Sequence, residues 1–231
     1  MTYTLITANR NYSSWSLRPW LLMRVLGIAF EDRLEPFTQA SNYGAFRAFS
    51  PTGQVPVLLH ETRTIYDSLG IALYLADRHH GVWPTDEAAC AWAQCAVTEM
   101  HGGFSALRGD CTMNVGVRVK LKPMSDALKA NVARLRELWA QGLSRFGGPY
   151  LAGAEFSVVD AFFAPVAYRV RTYGLDVGAG QAWVDHIIAH PAMQEWEVAA
   201  LKETWREVGH EEELRSCGDI IADYRNATKQ S

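Results

Sequence analysis

The sequence predicts a small mixed α/β domain followed by an all-α domain. Three observations carry that reading. Short β-rich runs alternate with amphipathic helices only in the first eighty residues, strand signals vanish from Thr85 onward, and the later breaks are Gly and Pro turns between helical patterns. In order, residues 3–7 are a short run of strand formers. Residues 16–26 carry Leu17, Leu21 and Val25 on one helical face and end at Gly27, a residue suited to a left-handed C-terminal cap. Residues 30–37 alternate apolar and charged side chains, the pattern of a half-buried or edge strand. After a polar loop at 38–50 come Val57-Leu58-Leu59 and Thr64-Ile65-Tyr66, two brief strands around a turn at 61–63. Asp67 or Ser68 can cap a helix carrying Leu69, Leu73 and Ala76 on one side.

The order β-α-β then β-β-α suits a thioredoxin-like domain, placed at 1–80. Helical patterns then run over 87–108, 125–146, 158–173, 183–189 and 193–207, an all-helical domain placed at 86–215. Ser157-Val158-Val159-Asp160 reads as a capping box, and Pro165 predicts a kink in the helix it starts. A polar tail at 216–231 is expected to pack loosely.

Composition bounds the function. Of 231 residues, 48% are apolar and 20% charged, the balance of a chain that buries a core. Lys plus Arg (22) against Asp plus Glu (25) gives a net charge of −3, which argues against a nucleic-acid binder. No apolar run reaches the ~18 residues of a membrane span. The first residues carry neither a signal-peptide core nor an Arg-rich transit pattern, so a cytoplasmic protein is expected. There, Cys90, Cys95, Cys111 and Cys217, which lack CxxC spacing, read as reduced, buried small hydrophobes. The triplets Asn11-Tyr12-Ser13 and Asn226-Ala227-Thr228 carry no weight as glycosylation sites in that compartment. GxSxG, HExxH, GxxxxGK[ST] and GxGxxG are all missing, and the seven histidines do not cluster at metal spacing, so no metal is expected. Glu211-Glu212-Glu213 reads as a solvated face.

The informative segment is Tyr12-Ser13-Ser14-Trp15-Ser16, between the first strand and the first helix. Backbone N–H groups there are unpaired and the helix dipole favours negative charge, so a hydroxyl can donate to an anion. A serine cannot act as a base near neutral pH, and no His stands next to it in sequence to activate it as a nucleophile. The chemistry that fits is stabilising a thiolate supplied by a second molecule. Lowering a thiol pKa from ~8.5 by about two units takes about 2.7 kcal/mol, within reach of one charge-assisted hydrogen bond plus the helix end. These serines can equally be plain helix caps. Pro56, opening a short strand after Gly53 and Gln54, is a candidate cis proline that would turn the Val55 backbone outward to pair with an extended peptide; the alternative is an edge-strand trans proline. Asp67-Ser68 can bind an ammonium and a carboxylate at a helix start, or simply cap it.

The ordered set Ser13-Ser14-Trp15-Ser16-Leu17-Arg18, Gln54-Val55-Pro56-Val57-Leu58 and Asp67-Ser68-Leu69-Gly70-Ile71-Ala72-Leu73-Tyr74-Leu75 resembles the glutathione transferase superfamily, in particular its serine-type branches with a zeta-like SSxSxR element. The capping box at Ser157–Asp160 extends the resemblance across most of the chain, and residues 99–108 resemble a bacterial subgroup of uncertain substrate. The resemblance implies a glutathione-binding first domain and an electrophile site facing the second. Ser13 or Ser14 would hold the sulfur, with Gln54, Val55, Pro56, Asp67 and Ser68 on the tripeptide. Tyr12, Trp15, Met100, Phe104 and Arg108 would line the electrophile site, the last three on one helical face. His101 reads as polar packing and Arg18 as a structural tie. Zeta enzymes have Cys where Trp15 stands, which counts against isomerase activity, and most relatives have Glu or Gln in place of Asp67. The implied protein is a homodimeric glutathione transferase acting on a small electrophile. Glutathione-dependent cis–trans isomerisation of a maleylacetoacetate-like diacid, and a non-catalytic glutathione-binding or protein-interaction module, are the alternatives.

Overall fold

A computed structural model describes residues 2–38 and 42–225. The first domain runs β1 (Tyr3–Thr7), α1 (Ser14–Val25), β2 (Phe30–Leu34), α2 (Asn42–Phe46), β3 (Val57–His60), β4 (Arg63–Tyr66) and α3 (Ser68–Ala76). Its four-stranded sheet has the order β2-β1-β3-β4. β1 lies parallel to β2, across α1, and antiparallel to β3, whose hairpin partner is β4. Leu5 and Ile6 of the central strand are fully buried, as a strand covered on both faces requires. A thioredoxin-like domain is the result, with β1 delivering the chain to the start of α1 at the carboxyl end of the sheet. One short helix, α2, interrupts the stretch expected to be loop.

The second domain comprises α4 (Glu87–Gly102), α5 (Ser105–Asp110), β5 (Val117–Leu121), α6 (Asp126–Phe146), α7 (Val158–Tyr173), a 3₁₀ turn (Gly178–Gly180), α8 (Gln181–Ala189), α9 (Pro191–Lys202), α10 (Val208–Cys217) and β6 (Gly218–Asp223). Its centre is α7, buried at every position except Arg171, the burial of a helix enclosed on all sides. The carboxylate arm of the expected capping box forms: Asp160 Oδ2 accepts the Ser157 N–H at 3.0 Å. α7 packs along α1 and so joins the two domains. Among the described residues no helix is long and apolar enough to cross a membrane.

Three expectations are corrected here. The helix over 87–108 breaks at Gly103, whose backbone is extended and where a Cβ would lie 2.6 Å from the Glu99 carbonyl oxygen; Phe104 comes next, at φ 55°. The helix over 193–207 stops at Lys202, because the Glu203 carboxylate turns back to accept the backbone N–H groups of Arg10 (2.6 Å) and Asn11 (3.2 Å). Finally, the second domain is not purely helical and residues 218–223 are not loose. β5 and β6 form an antiparallel ribbon, with Val117 and Val119 buried beneath it. Asn226-Ala227-Thr228 and the rest of the tail lie outside the described residues.

Candidate active site

A cleft of about 740 Å³ opens between the two domains. One wall belongs to the first domain and starts at α1. Ser13 occupies the N-cap position, yet its hydroxyl turns inward and donates to Ser16 Oγ at 2.7 Å, which in turn accepts the Ala8 N–H at 3.2 Å. Ser14, the first helical residue, lines the cleft, and its hydroxyl makes no hydrogen bond to any described residue. No acidic side chain stands in the first turn of α1, so the positive end of the helix dipole is left uncompensated.

Below α1 lies the turn before β3. Gly53 adopts φ +67°, and a Cβ there would sit 2.6 Å from the Tyr43 ring, so this close approach requires glycine. The Val55–Pro56 bond is cis. The β3–β4 ladder begins only at Val57↔Tyr66, which leaves the Val55 N–H and C=O outside the sheet while Val55 lines the cleft. Asp67 caps α3 from a strained φ of 67°, accepting the Leu69 N–H on Oδ1 at 2.7 Å. Its Oδ2 faces His101 Nε2 at 3.4 Å, and burial holds the His101 imidazole below its ordinary pKa. Ser68 is buried and accepts Arg18 Nη1 at 3.3 Å. Arg18 lies 4.1 Å from the Trp15 ring centre, tying α1 to α3 and to the domain interface.

The facing wall comes from α5, the segment after it, α7 and α10. Arg108, Thr112, Met113 and Arg169 line it, with His210 and Glu213 above. The roof is fixed by a clasp across the domains. Tyr12 Oη donates to Glu211 Oε1 at 2.6 Å, Arg225 pairs with the same carboxylate, and His210 stacks on Tyr12 with centroids 4.9 Å apart. Burial, then the Glu211 carboxylate, push the Tyr12 phenol far above its ordinary range, so this hydroxyl is engaged with the roof and stays protonated. Glu211, expected on a solvated face, is thus a buried contact. Of the four cysteines expected to be buried, Cys111 and Cys217 are, but Cys95 is exposed and Cys90 half-buried on the outer side of α4; burial pushes the Cys111 thiol up to about 12, which makes it inert. Among the described residues no group of three or more His, Cys, Asp or Glu side chains is placed to hold a metal ion.

Of the residues singled out from the sequence, Tyr12, Ser13, Ser14, Trp15, Gln54, Val55, Pro56, Asp67, Ser68 and Arg108 meet in this one cleft. Met100 and Phe104 do not. Met100 is 1% exposed and Phe104 6%, both in the core, with Phe104 edge-on to Phe163. A face shared with Arg108 needs one continuous helix, and the break at Gly103 removes it. Sequence reasoning missed Arg169, Thr112, Met113, His210 and Glu213. A signal existed for Arg169: it is an arginine set in an apolar stretch, with Phe162-Phe163-Ala164-Pro165-Val166-Ala167 before it and Val170 after it.

Residues 12–78 match the family described as glutathione S-transferase, N-terminal domain, and residues 121–197 match glutathione S-transferase, C-terminal domain. The chain belongs to the glutathione transferase superfamily. Glutathione S-transferase 1 of Dianthus caryophyllus is 26% identical over 174 residues, 71% of this chain and 77% of that one. Among solved structures, a glutathione S-transferase from the Antarctic clam Laternula elliptica has a TM-score of 0.66 at 15% identity, covering 85% of this chain and 92% of its own. A theta class glutathione S-transferase from Xanthomonas axonopodis pv. citri, crystallised with glutathione bound, has a TM-score of 0.62 at 23% identity over 84% of this chain and 96% of its own. These structural likenesses match the fold of both domains.

Proposed function

We propose that this cleft binds glutathione and that Ser14 keeps its sulfur ionised for attack on a small electrophile held against the helical domain. The observation that carries the reading is the uncommitted Ser14 hydroxyl at the uncompensated amino end of α1. Ser13 is the weaker choice because its proton already serves Ser16. A hydrogen bond to a charged acceptor contributes about 1.5–3 kcal/mol, and the helix end adds about 0.3–1 kcal/mol. Together these supply the two-unit drop in thiol pKa that turns a mostly protonated thiol into a mostly ionised one near pH 7. Val55 would pair with the cysteinyl backbone, and Ser68 with Asp67 would take the carboxylate and ammonium of the γ-glutamyl end. The buried Ser16 and Arg18 hold the frame and touch no substrate.

The protein would act as a cytoplasmic homodimer, and light scattering that returns the mass of one chain would remove the dimer. The mechanism is tested by titrating the thiolate absorbance of bound glutathione. Ser14→Ala is expected to raise the bound thiol's pKa by about one to two units and Ser13→Ala by less, in line with the loss of one charge-assisted hydrogen bond. An unchanged pKa in both variants would defeat the mechanism. Retention on glutathione resin without conjugation of any electrophile would reduce the protein to a binding module.

A further inference from the structure

Three guanidinium groups, those of Arg18, Arg108 and Arg169, gather where the helical domain meets the first, and among the described residues none forms an ion pair. Arg18 is 1% exposed, and its Nε has no hydrogen-bond partner. Arg169 is 4% exposed; it gives Nε to the Cys111 carbonyl at 2.8 Å and Nη1 to the Pro165 carbonyl at 3.2 Å, leaving Nη2 unbonded at the cleft wall. Arg108 gives Nη1 to the His101 carbonyl at 3.1 Å and presents the rest of its fork to the cleft. Burial first, then mutual repulsion, pull Arg18 down to about 9 and Arg169 to about 10, so both stay cationic at neutral pH. Of the carboxylates lining the cleft, Asp67 offsets part of the Arg18 charge while it is engaged with Leu69 and His101, and Glu213 pairs with no arginine, so Arg108 and Arg169 are left unanswered.

Removing unpaired charges from water costs several kcal/mol per ion, and a planar fork of donors is the group that best matches a carboxylate. Backbone carbonyls satisfy part of the Arg108 and Arg169 forks without neutralising them. The missing anion therefore belongs to something that enters the cleft. Glutathione's γ-glutamyl end would take Asp67 and Ser68 on the first-domain side of the cleft, which leaves the side held by Arg108 and Arg169 to the second substrate.

We infer that Arg108 and Arg169 form a carboxylate subsite, so that the preferred electrophile is a small organic acid rather than a neutral molecule. Arg18, buried behind them and shared between Ser68 and Trp15, raises the positive potential without touching the substrate. The inference rests on the glutathione transferase reading of the cleft. The attack itself needs no further reactant. With an aryl chloride, the sulfur lone pair forms the C–S bond, and the C–Cl bond breaks with its electron pair leaving as chloride.

The test compares 4-chloro-3-nitrobenzoate with its methyl ester, each rate divided by the uncatalysed rate with glutathione. The acid is expected to be favoured by about tenfold or more in kcat/KM, the worth of one charge-assisted hydrogen bond. Arg108→Gln is expected to cut the acid-to-ester ratio by about tenfold, and Arg169→Lys, which keeps the charge but loses the fork, by a smaller factor. A ratio near one in the wild type, or one that Arg108→Gln leaves unmoved, overturns the subsite. So does a rise in the glutathione KM of Arg108→Gln with the ratio intact, since the arginines would then serve the tripeptide. If neither compound turns over, the transferase reading fails by itself, and calorimetry with 4-nitrobenzoate decides the subsite separately. Binding that Arg108→Gln weakens, and that methyl 4-nitrobenzoate lacks, supports it; equal or absent binding of the acid overturns it.

Discussion

Helices α1 and α7 both begin at a serine, and they use the same local signal in opposite ways. α7 starts after Ser157, and its first turn is closed by Asp160, which is fully buried. The Asp160 carboxylate accepts the N–H groups of Ser157 (3.0 Å) and Leu151 (2.9 Å) and the Trp183 indole (2.9 Å). α1 starts after Ser13, has no acidic residue in its first turn, and opens onto the cleft at Ser14. One helix end is sealed by the chain's own anion and serves the fold; the other is left open for an anion that arrives from outside. The contrast explains why only one of these two ends is a candidate site. An amino-terminal positive potential becomes a site only where nothing in the fold has already satisfied it.

The largest expected effect comes from breaking the sealed end. Asp160→Ala would leave three buried donors without an acceptor and a void beside Trp183, a loss of about 3–5 kcal/mol. Denaturant unfolding measures it, and a loss below about 1 kcal/mol would refute the sealing role. The pH dependence sharpens the same point. Burial raises Asp160 to about 6, above its ordinary 3.8, despite its hydrogen bonds. The folded state therefore binds this proton more tightly than the unfolded chain does. Stability should fall as pH rises from about 4 to about 6, by about 3 kcal/mol in all, and stay level above that window. Asp160→Asn should remove that slope while leaving the slopes of other groups in place.

The comparison also shows how much could be read in advance. The sheet, α1, α3 and the start of α7 were legible because each rests on local signals: a run of strand formers, a cap, a glycine after a helix. The Ser13–Ser14, Val55–Pro56 and Asp67–Ser68 positions were legible for the same reason, being the ends of those elements. The features that escaped depend on partners far away in sequence. β5 has the alternation of a strand, but its partner, β6, lies about one hundred residues on. Glu211 reads as solvated until Tyr12 and Arg225 are brought against it from opposite ends of the chain. Met100 and Phe104 were misplaced by assuming that a helix continues through Gly102-Gly103, where Gly103 in fact turns extended beneath the Glu99 carbonyl. Arg169 is the instructive miss, since a cation within an apolar helix is itself a signal that something must answer its charge.

Glu211→Gln probes the wall that local signals did not reveal, with an intermediate effect. It keeps the shape of the roof clasp but removes the charge facing Tyr12 and Arg225, and should cost about 1.5–3 kcal/mol, the range for hydrogen bonds to a charged group. Thermal unfolding reads this directly. If the clasp fixes only the roof, the thiol pKa of bound glutathione should not move with it, because Ser14 sits on the other wall.

The smallest expected change in stability tests the comparison most directly, since it converts the open helix end into a sealed one. Ser14→Asp gives α1 the first-turn carboxylate that α7 already has. An anion there should stabilise the helix by about 0.3–1 kcal/mol. For a chain of this size that is an increase of about 1–4 °C in Tm. The same carboxylate would occupy the place and the potential meant for the sulfur, so glutathione binding measured by calorimetry should be lost as the melting point rises. A variant that gains no stability would mean that the α1 end is already satisfied. One that gains stability and still binds glutathione as tightly as before would mean that the sulfur lies elsewhere.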